Sequence, residues 1–196
     1  MLHELLKDTK IVLASGSPRR KELLSLVGLK FRQVVAHVDE TIIPSDYPHP
    51  KRYVRKIATR KCVSVKNALK EDCLVVAADT VVFADKKILL KPADLAEATS
   101  FLNILSGKRH TVYTGIALSF RGQVLSDTAK THVTFRTLSD TEIADYLKTG
   151  ESLDKAGGYG IQGYGSQFIE HIDGCYFNVM GFPLNLFLEM IYKLRI

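Results

Sequence analysis

The run Lys-Ile-Val-Leu-Ala-Ser at 10–15 is short and apolar, and it stops at Gly16-Ser17-Pro18. A run of that length bounded by turn residues predicts a buried strand. Ser17 then stands as a helix N-cap with Pro18 at the first helical position, which predicts a helix as far as Val27, ended by Gly28. Leu23, Leu24 and Val27 make its apolar face. A second strand is expected at 31–36, then a polar loop with Pro44, Pro48 and Pro50. Over 51–69 the apolar residues Tyr53, Val54, Ile57, Ala58, Val65 and Leu69 recur at helical spacing. Residues 73–83 read as a central strand, turned at Asp85-Lys86-Lys87 into a shorter one.

Further along, Asp94 and Glu97 have capping-box spacing ahead of a helix that ends at Gly107. Alternating strands follow at 110–120 and 123–136, joined by Arg121-Gly122, and Ser139 with Glu142 marks another helix start. A glycine-rich segment at 156–165 precedes a strand, a turn at Asp173-Gly174 and a further strand. Pro183 opens a last helix, whose Leu184, Leu186, Phe187, Met190 and Ile191 read as core, with the surface of a homodimer as the alternative. Strands alternate with helices early and hairpins dominate later. The expectation is an α/β chain with a mixed sheet flanked by helices, as one domain over 1–196 that could carry two lobes.

Composition adds exclusions. At 46% hydrophobic and 24% charged the 196 residues resemble an ordinary globular chain, long enough for a sizeable core. No window approaches the roughly 18 apolar residues of a membrane helix, and the charged start Met-Leu-His-Glu-Leu-Leu-Lys-Asp is unlike a signal peptide. Cys62, Cys73 and Cys175 are odd in number and fit neither a disulfide framework nor a zinc site, so free thiols in a reducing cytoplasm are expected. Lys and Arg exceed Asp and Glu by 27 to 21, and a net +6 suits an anionic partner.

Three places then stand out chemically. Arg19 and Arg20 lie in the first turn of the first helix. Cations there oppose the helix dipole by about 0.3–1 kcal/mol each. A strand, a glycine and a helix N-terminus with outward N–H groups make an anion site, and the Arg fork matches phosphate oxygens. The alternative is that both arginines are simply solvated. Asp79 interrupts the apolar run Val75-Val76-Ala77-Ala78 and Val81-Val82-Phe83. A buried carboxylate is costly unless it is paired or metal-bound. Asp79 is thus a candidate to hold a cation or take a proton, against the alternative of a structural Asp bonded to backbone amides. Eight Lys or Arg fall in 51–70, Lys61 among them, where a polyphosphate lining competes with a solvated face. Lys91, before Pro92, is ambiguous in the same way. Gly158-Tyr159-Gly160-Ile161-Gln162-Gly163 matches G-x-G-x-x-G but follows a helix and precedes a strand, the wrong context for a dinucleotide fingerprint. Its glycines allow close backbone approach to a ligand, with Gln162 offering an amide edge.

Taken in order, these segments resemble the Maf family, the septum formation inhibitor-like proteins. The resemblance rests on Ser15-Gly16-Ser17-Pro18-Arg19-Arg20, Ala78-Asp79-Thr80, Lys91-Pro92, Leu105-Ser106-Gly107 with His110, the segment from Asp154 to Gly163, and Asn178-Val179-Met180-Gly181. It implies a nucleoside triphosphate pyrophosphatase with a fold like that of the inosine triphosphate pyrophosphatases, two lobes about a central cleft. It further implies Asp79 as proton acceptor, and Arg19, Thr80 and Gln162 as the positions tied to substrate choice. Lys61 and Lys91 are implied as further substrate-binding residues, and Glu40 with Asp79 as the ligands of a divalent cation, Mg²⁺ or Mn²⁺. The form of the glycine segment resembles the branch acting on dTTP and UTP. Gly158 where Ala is usual, Phe182 where Leu is usual and Leu90 before Lys91 depart from the pattern without removing a charged group. A role in clearing modified nucleotides is an extension of the same reading. The rival is a regulatory nucleotide- or nucleic-acid-binding protein of cell division. Nucleic acid is disfavoured because no aromatic stacking surface interleaves the basic helix.

Overall fold

The computed structural model describes residues 1–36, 38, 49–69 and 71–196. Its elements are, in order, α1 (Leu2–Leu5), β1 (Ile11–Leu13), α2 (Pro18–Leu26), β2 (Arg32–Gln33), α3 (Pro50–Ala68), β3 (Leu74–Ala84), β4 (Lys87–Leu89), α4 (Leu95–Leu105), β5 (Arg109–Phe120), β6 (Gln123–Phe135), α5 (Asp140–Lys148), β7 (Ile169–Asp173), α6 (Tyr176–Val179) and α7 (Leu184–Leu194). Short 3-10 turns cover Ala156–Gly158 and Tyr164–Phe168. The sheet runs β2-β1-β3-β5-β6-β7, with β4 on β3. β1 is parallel to both β2 and β3, whereas β4 is antiparallel to β3 and β7 to β6. The α/β class with a mixed sheet is therefore the one the sequence predicts. No described helix is long and apolar enough to cross a membrane.

Local chemistry explains where elements begin and turn. At the start of α5, Ser139 and Glu142 form the full capping box. Asp94 accepts from the Glu97 N–H at 2.8 Å, but the Glu97 carboxylate reaches back to Ala93 rather than to the cap residue. Asp85 and Lys86 between β3 and β4, and Arg121 and Gly122 between β5 and β6, hold positive φ. Two successive such residues twist a hairpin in the sense the strands require. Two expectations fail. Pro50 is not loop but the first residue of α3, a position where its missing N–H costs nothing. The segment after Gly174 is not a strand but α6. Asn178 Nδ2 donates to Val112 O at 3.1 Å and to Thr131 Oγ1 at 3.0 Å, and the Cys175 N–H donates to the same hydroxyl at 3.1 Å. These contacts to β5 and β6 hold the helical turn in place of a sheet ladder.

The chain divides into two compact units. The first holds 1–79, 114–129 and 181–196. In it Ile11, Val12, Leu13, Leu74, Val75 and Val76 are all buried, the mark of parallel strands covered on both faces. One face, with Val12, Ala14, Val75, Ala77 and Ala117, packs on Ala58, Cys62 and Val65 of α3. The approach is closest at Gly115: a Cβ there would lie 2.6 Å from the Val54 carbonyl. Leu186, Phe187, Met190, Ile191 and Leu194 of α7 are buried, so that stripe is core.

The second unit holds 80–113 and 130–180. Its core joins Phe101, Leu102 and Leu105 of α4 and Ile143 and Tyr146 of α5 to Val82, Val112, Val133 and Phe135 of the strands. Tyr159 from the glycine segment is part of the same core. His110 is buried edge-on to Phe135 and Tyr159, with Nε2 2.8 Å from the Tyr159 hydroxyl. Burial holds its pKa down at about 4, so the ring is neutral at pH 7.

Two outcomes follow. Gly115→Ala forces the α3 and β5 backbones apart, and urea unfolding should show a loss of about 3 kcal/mol, the upper range for overpacking. An unfolded His110 titrates near 6.5 and the folded one near 4, so its contribution is fully present above 6.5. Stability should fall as pH drops from 6.5 towards 4, where only the unfolded chain takes up the proton. The slope of unfolding free energy against pH in that window should be smaller in His110→Phe.

Candidate functional site

The first unit builds its polar site where β1 ends. The β1–β3 register pairs Leu13 with Val76, and the Ala14 N–H donates to Val76 O at 2.7 Å. Continued forward, that register puts the turn at Gly16 level with Asp79 on β3. The strand ends that carry ligands in open parallel sheets are these carboxyl ends. The turn itself is held by the Ser15 hydroxyl, which is buried. It accepts from the Ser17 N–H at 3.2 Å and from Arg20 Nη1 at 3.1 Å. Gln33 Nε2 donates to Ser15 O at 2.7 Å. Ser17 occupies the N-cap of α2 but gives no side-chain cap, contrary to expectation, and no acidic residue lies in the first turn. Arg20 Nε donates to Gly181 O at 2.9 Å, binding the turn to the segment before α7. The two arginines thus differ: Arg20 braces the turn, and Arg19 sits half-buried beside it at the positive end of α2.

Asp79 follows five fully buried residues of β3 and is itself half-buried. The cost of a carboxylate there is offset by Lys61 of α3, whose Nζ lies 2.8 Å from Oδ1. The two side chains are only 14% and 17% exposed, so water screens the pair far less than a surface one. Lys61 neighbours Cys62 on the edge of the buried stripe, which fixes its direction. The Cys62 thiol faces Val75 O at 3.5 Å, and burial pushes its pKa up to about 12, so it is no thiolate nucleophile. Exposed Lys51, Arg52, Arg55 and Lys56 on the same helix are a solvated face, with Tyr53 turned inward.

Among the described residues no group of three or more His, Cys, Asp or Glu is placed to hold a metal ion. An all-protein cage is not what they build. A hard divalent cation that takes one or two carboxylates and completes its shell with substrate phosphates and water fits the Asp79 carboxylate. Glu40, the other expected ligand, lies outside the described residues.

In the second unit, Thr80 is half-buried at the start of that unit's part of β3, Lys91 is exposed after β4, and Gln162 is half-buried in the glycine segment. The last two stretches are tied together. The Gly157 N–H donates to Leu90 O at 3.0 Å, and a Cβ on Gly157 would lie 2.7 Å from Val82 Cγ2. Gly157 and Gly158 both hold φ near +70°. At 158 a Cβ would meet Ala98 at an ordinary 3.8 Å, so it is the left-handed backbone that favours glycine over alanine. The segment opens no helix and runs through 3-10 turns into β7, which removes the dinucleotide-fingerprint reading. The structure therefore joins Lys61 to Asp79, sets the Arg19 turn after the strand that pairs with β3, and ties the Lys91 and Gln162 stretches together. Sequence reasoning missed the roles of Ser15 and Gly181. Gly181 is 161 positions from Arg20, and no local pattern signals such a contact.

A dTTP/UTP pyrophosphatase of Clostridium beijerinckii is 43% identical over 188 residues, spanning 95% of this chain and 100% of that protein. One from Bacillus cytotoxicus is 47% identical over 175 residues, 89% of this chain and 90% of that one. The solved structure of the Staphylococcus aureus Ham1 protein aligns with a TM-score of 0.50 at 16% identity, over 82% of this chain and 79% of that one, a likeness of fold alone. The family model described as Maf-like protein matches residues 10–194. With a family model matched over residues 10–194 and relatives this similar over nearly the whole length, the chain, with its half-buried Lys–Asp pair, belongs to the Maf-like protein family.

Proposed function

We propose that this chain hydrolyses nucleoside triphosphates, dTTP and UTP first among them, to the monophosphate and pyrophosphate. The observation that carries the reading is the Lys61–Asp79 pair at 2.8 Å, on the strand that pairs with β1 ahead of the Arg19 turn. It puts one carboxylate with its cation midway along β3, on the strand beside β1, which leads into the Arg19 turn, and a water nucleophile and a polyphosphate need such a pairing of acid and cation. The relatives named dTTP/UTP pyrophosphatases supply the substrate class. The reduced thiols Cys62, Cys73 and Cys175 are in keeping with a cytoplasmic enzyme.

In this mechanism Arg19, Lys61 and Lys91 hold the triphosphate tail and offset its charge as the bond breaks. Asp79, ionised in its pair, accepts a hydrogen bond from a water and takes its proton as the new bond to the α-phosphorus forms. The bond between the α-phosphorus and the oxygen bridging to the β-phosphorus breaks, and that oxygen leaves with the pyrophosphate. Lys61 holds the carboxylate in place through the 2.8 Å contact. A Mg²⁺ or Mn²⁺ ion on Asp79, with Glu40 as second ligand, would neutralise phosphate charge. Thr80 and Gln162 read the base edge, where a wrong base leaves polar groups unpaired.

Asp79→Asn keeps the shape and the Lys61 contact but cannot take a proton. It should lose at least about 1,000-fold in kcat, in line with removal of a general base plus a cation ligand. Its circular dichroism spectrum and melting should stay close to wild type. Pyrophosphate release from dTTP at the wild-type rate would overturn the assignment. Lys61→Met strands a half-buried carboxylate, so it should cost more stability than Asp79→Asn, by about 1–3 kcal/mol in chemical unfolding.

A further inference from the structure

Glu151 stands outside the mechanism, yet the glycine segment is folded around its side chain. It follows α5 and Gly150, and its carboxylate reaches across to the far end of the segment. Oε2 accepts from the Tyr164 N–H at 2.9 Å, and Oε1 from the Gly165 N–H at 3.2 Å and the Tyr146 hydroxyl at 3.3 Å. Its backbone carbonyl accepts from Lys155 Nζ at 2.8 Å, and that ammonium also pairs with Asp154 at 2.6 Å. The glycines on either side of Gln162 are explained by the same carboxylate. A Cβ on Gly160 would lie 2.8 Å from Glu151 Oε1 and 2.8 Å from Lys155 Cε. A Cβ on Gly163 would overlap Oε2, and φ there is +79°. A Cβ on Gly165 would sit 2.6 Å from Gly160 O, so the segment closes on itself with no room to spare.

We propose that Glu151 is the positioning residue for base discrimination, fixing the Gly160–Gly165 backbone and through it the amide of Gln162. A carboxylate that accepts two successive backbone N–H groups makes charge-assisted bonds, stronger than those a neutral loop would form. It fills the space that side chains at Gly160 and Gly163 would take, so one half-buried anion sets the loop together with the close packing at Gly165. Tyr146 connects this anion to α5, and its own ring lies 4.9 Å from Phe168 in the core of the second unit. Small displacements at a reading group cost discrimination before they cost chemistry, because the attacking water and the phosphates are handled by other residues. The inference rests on Gln162 reading the base.

The test compares KM and kcat for UTP, CTP and ATP in wild type, Glu151→Gln, Gln162→Ala and the double variant. Glu151→Gln keeps the volume but turns an N–H₂ group towards a backbone N–H. Its KM for UTP should rise about tenfold, the worth of one charge-assisted hydrogen bond, with kcat within about twofold of wild type. Its preference for UTP over ATP should shrink to near that of Gln162→Ala, and the double variant should lose little more than either alone. An equal fall in kcat for all three nucleotides, with KM and preference unchanged, or fully additive losses in the double variant, would overturn the proposal. If Glu151→Gln does not fold, Tyr146→Phe removes the 3.3 Å hydroxyl contact to Glu151 together with the bond of that hydroxyl to the Gly160 backbone, and leaves the carboxylate on Tyr164 and Gly165. It should move KM and preference the same way by about two- to threefold, and an unchanged preference overturns the proposal there too. Gln162→Ala with intact discrimination, beside relaxed discrimination in Glu151→Gln, overturns the reading of Gln162 and leaves the hold of Glu151 on the segment standing.

Discussion

The ion pair between Lys61 and Asp79 is the constraint to which the first unit answers. A carboxylate can follow five buried residues of a strand only if a cation is delivered to it, and the cation comes from a helix whose opposite side must pack on the same strands. That demand fixes how α3 lies. Val54 has to approach the β5 backbone at Gly115, where no side chain fits, and Ala58, Cys62 and Val65 have to sit on β1 and β3. With α3 so placed, Lys61 meets Asp79 at 2.8 Å and needs no further adjustment.

The second demand is on the turn after β1. Two arginines at a helix N-terminus oppose its dipole, and no acid in the first turn relieves them. The structure divides the burden. Arg20 is spent on Ser15 and the Gly181 carbonyl, a fastening of the turn to the start of α7. Arg19 lies half-buried beside that fastening, in the first turn of α2. A side chain fastens a loop in the second unit as well, where Glu151 holds the glycine segment and Gln162 lies between the glycines it shapes.

The six residues at 10–15, the Ser139–Glu142 box and the alternating strands joined at Arg121-Gly122 all became the elements their patterns predict, because each signal is local: a strand period, a cap, a turn. Asp79 was legible for a related reason, since a charge inside an apolar run is an anomaly that any single sequence displays. The segment after Gly174 was misread because its structure is decided by Thr131, Val112 and Asn178, which the sequence places far apart.

The amino-acid sequence by itself determined the α/β class, the order of elements from β1 to β7, the arginine turn and the acid in the apolar strand. It also determined the family resemblance, because six short motifs in order are a property of the string. Tertiary structure alone decided which arginine braces the turn, which of the eight Lys and Arg of a basic stretch meets Asp79, and why Gly160 and Gly163 carry no side chain. Each of those answers depends on a contact between residues distant along the chain. Hydrophobic period and capping act over one or two turns, whereas the partners of Arg20, Lys61 and Glu151 are chosen only once helices and strands have packed.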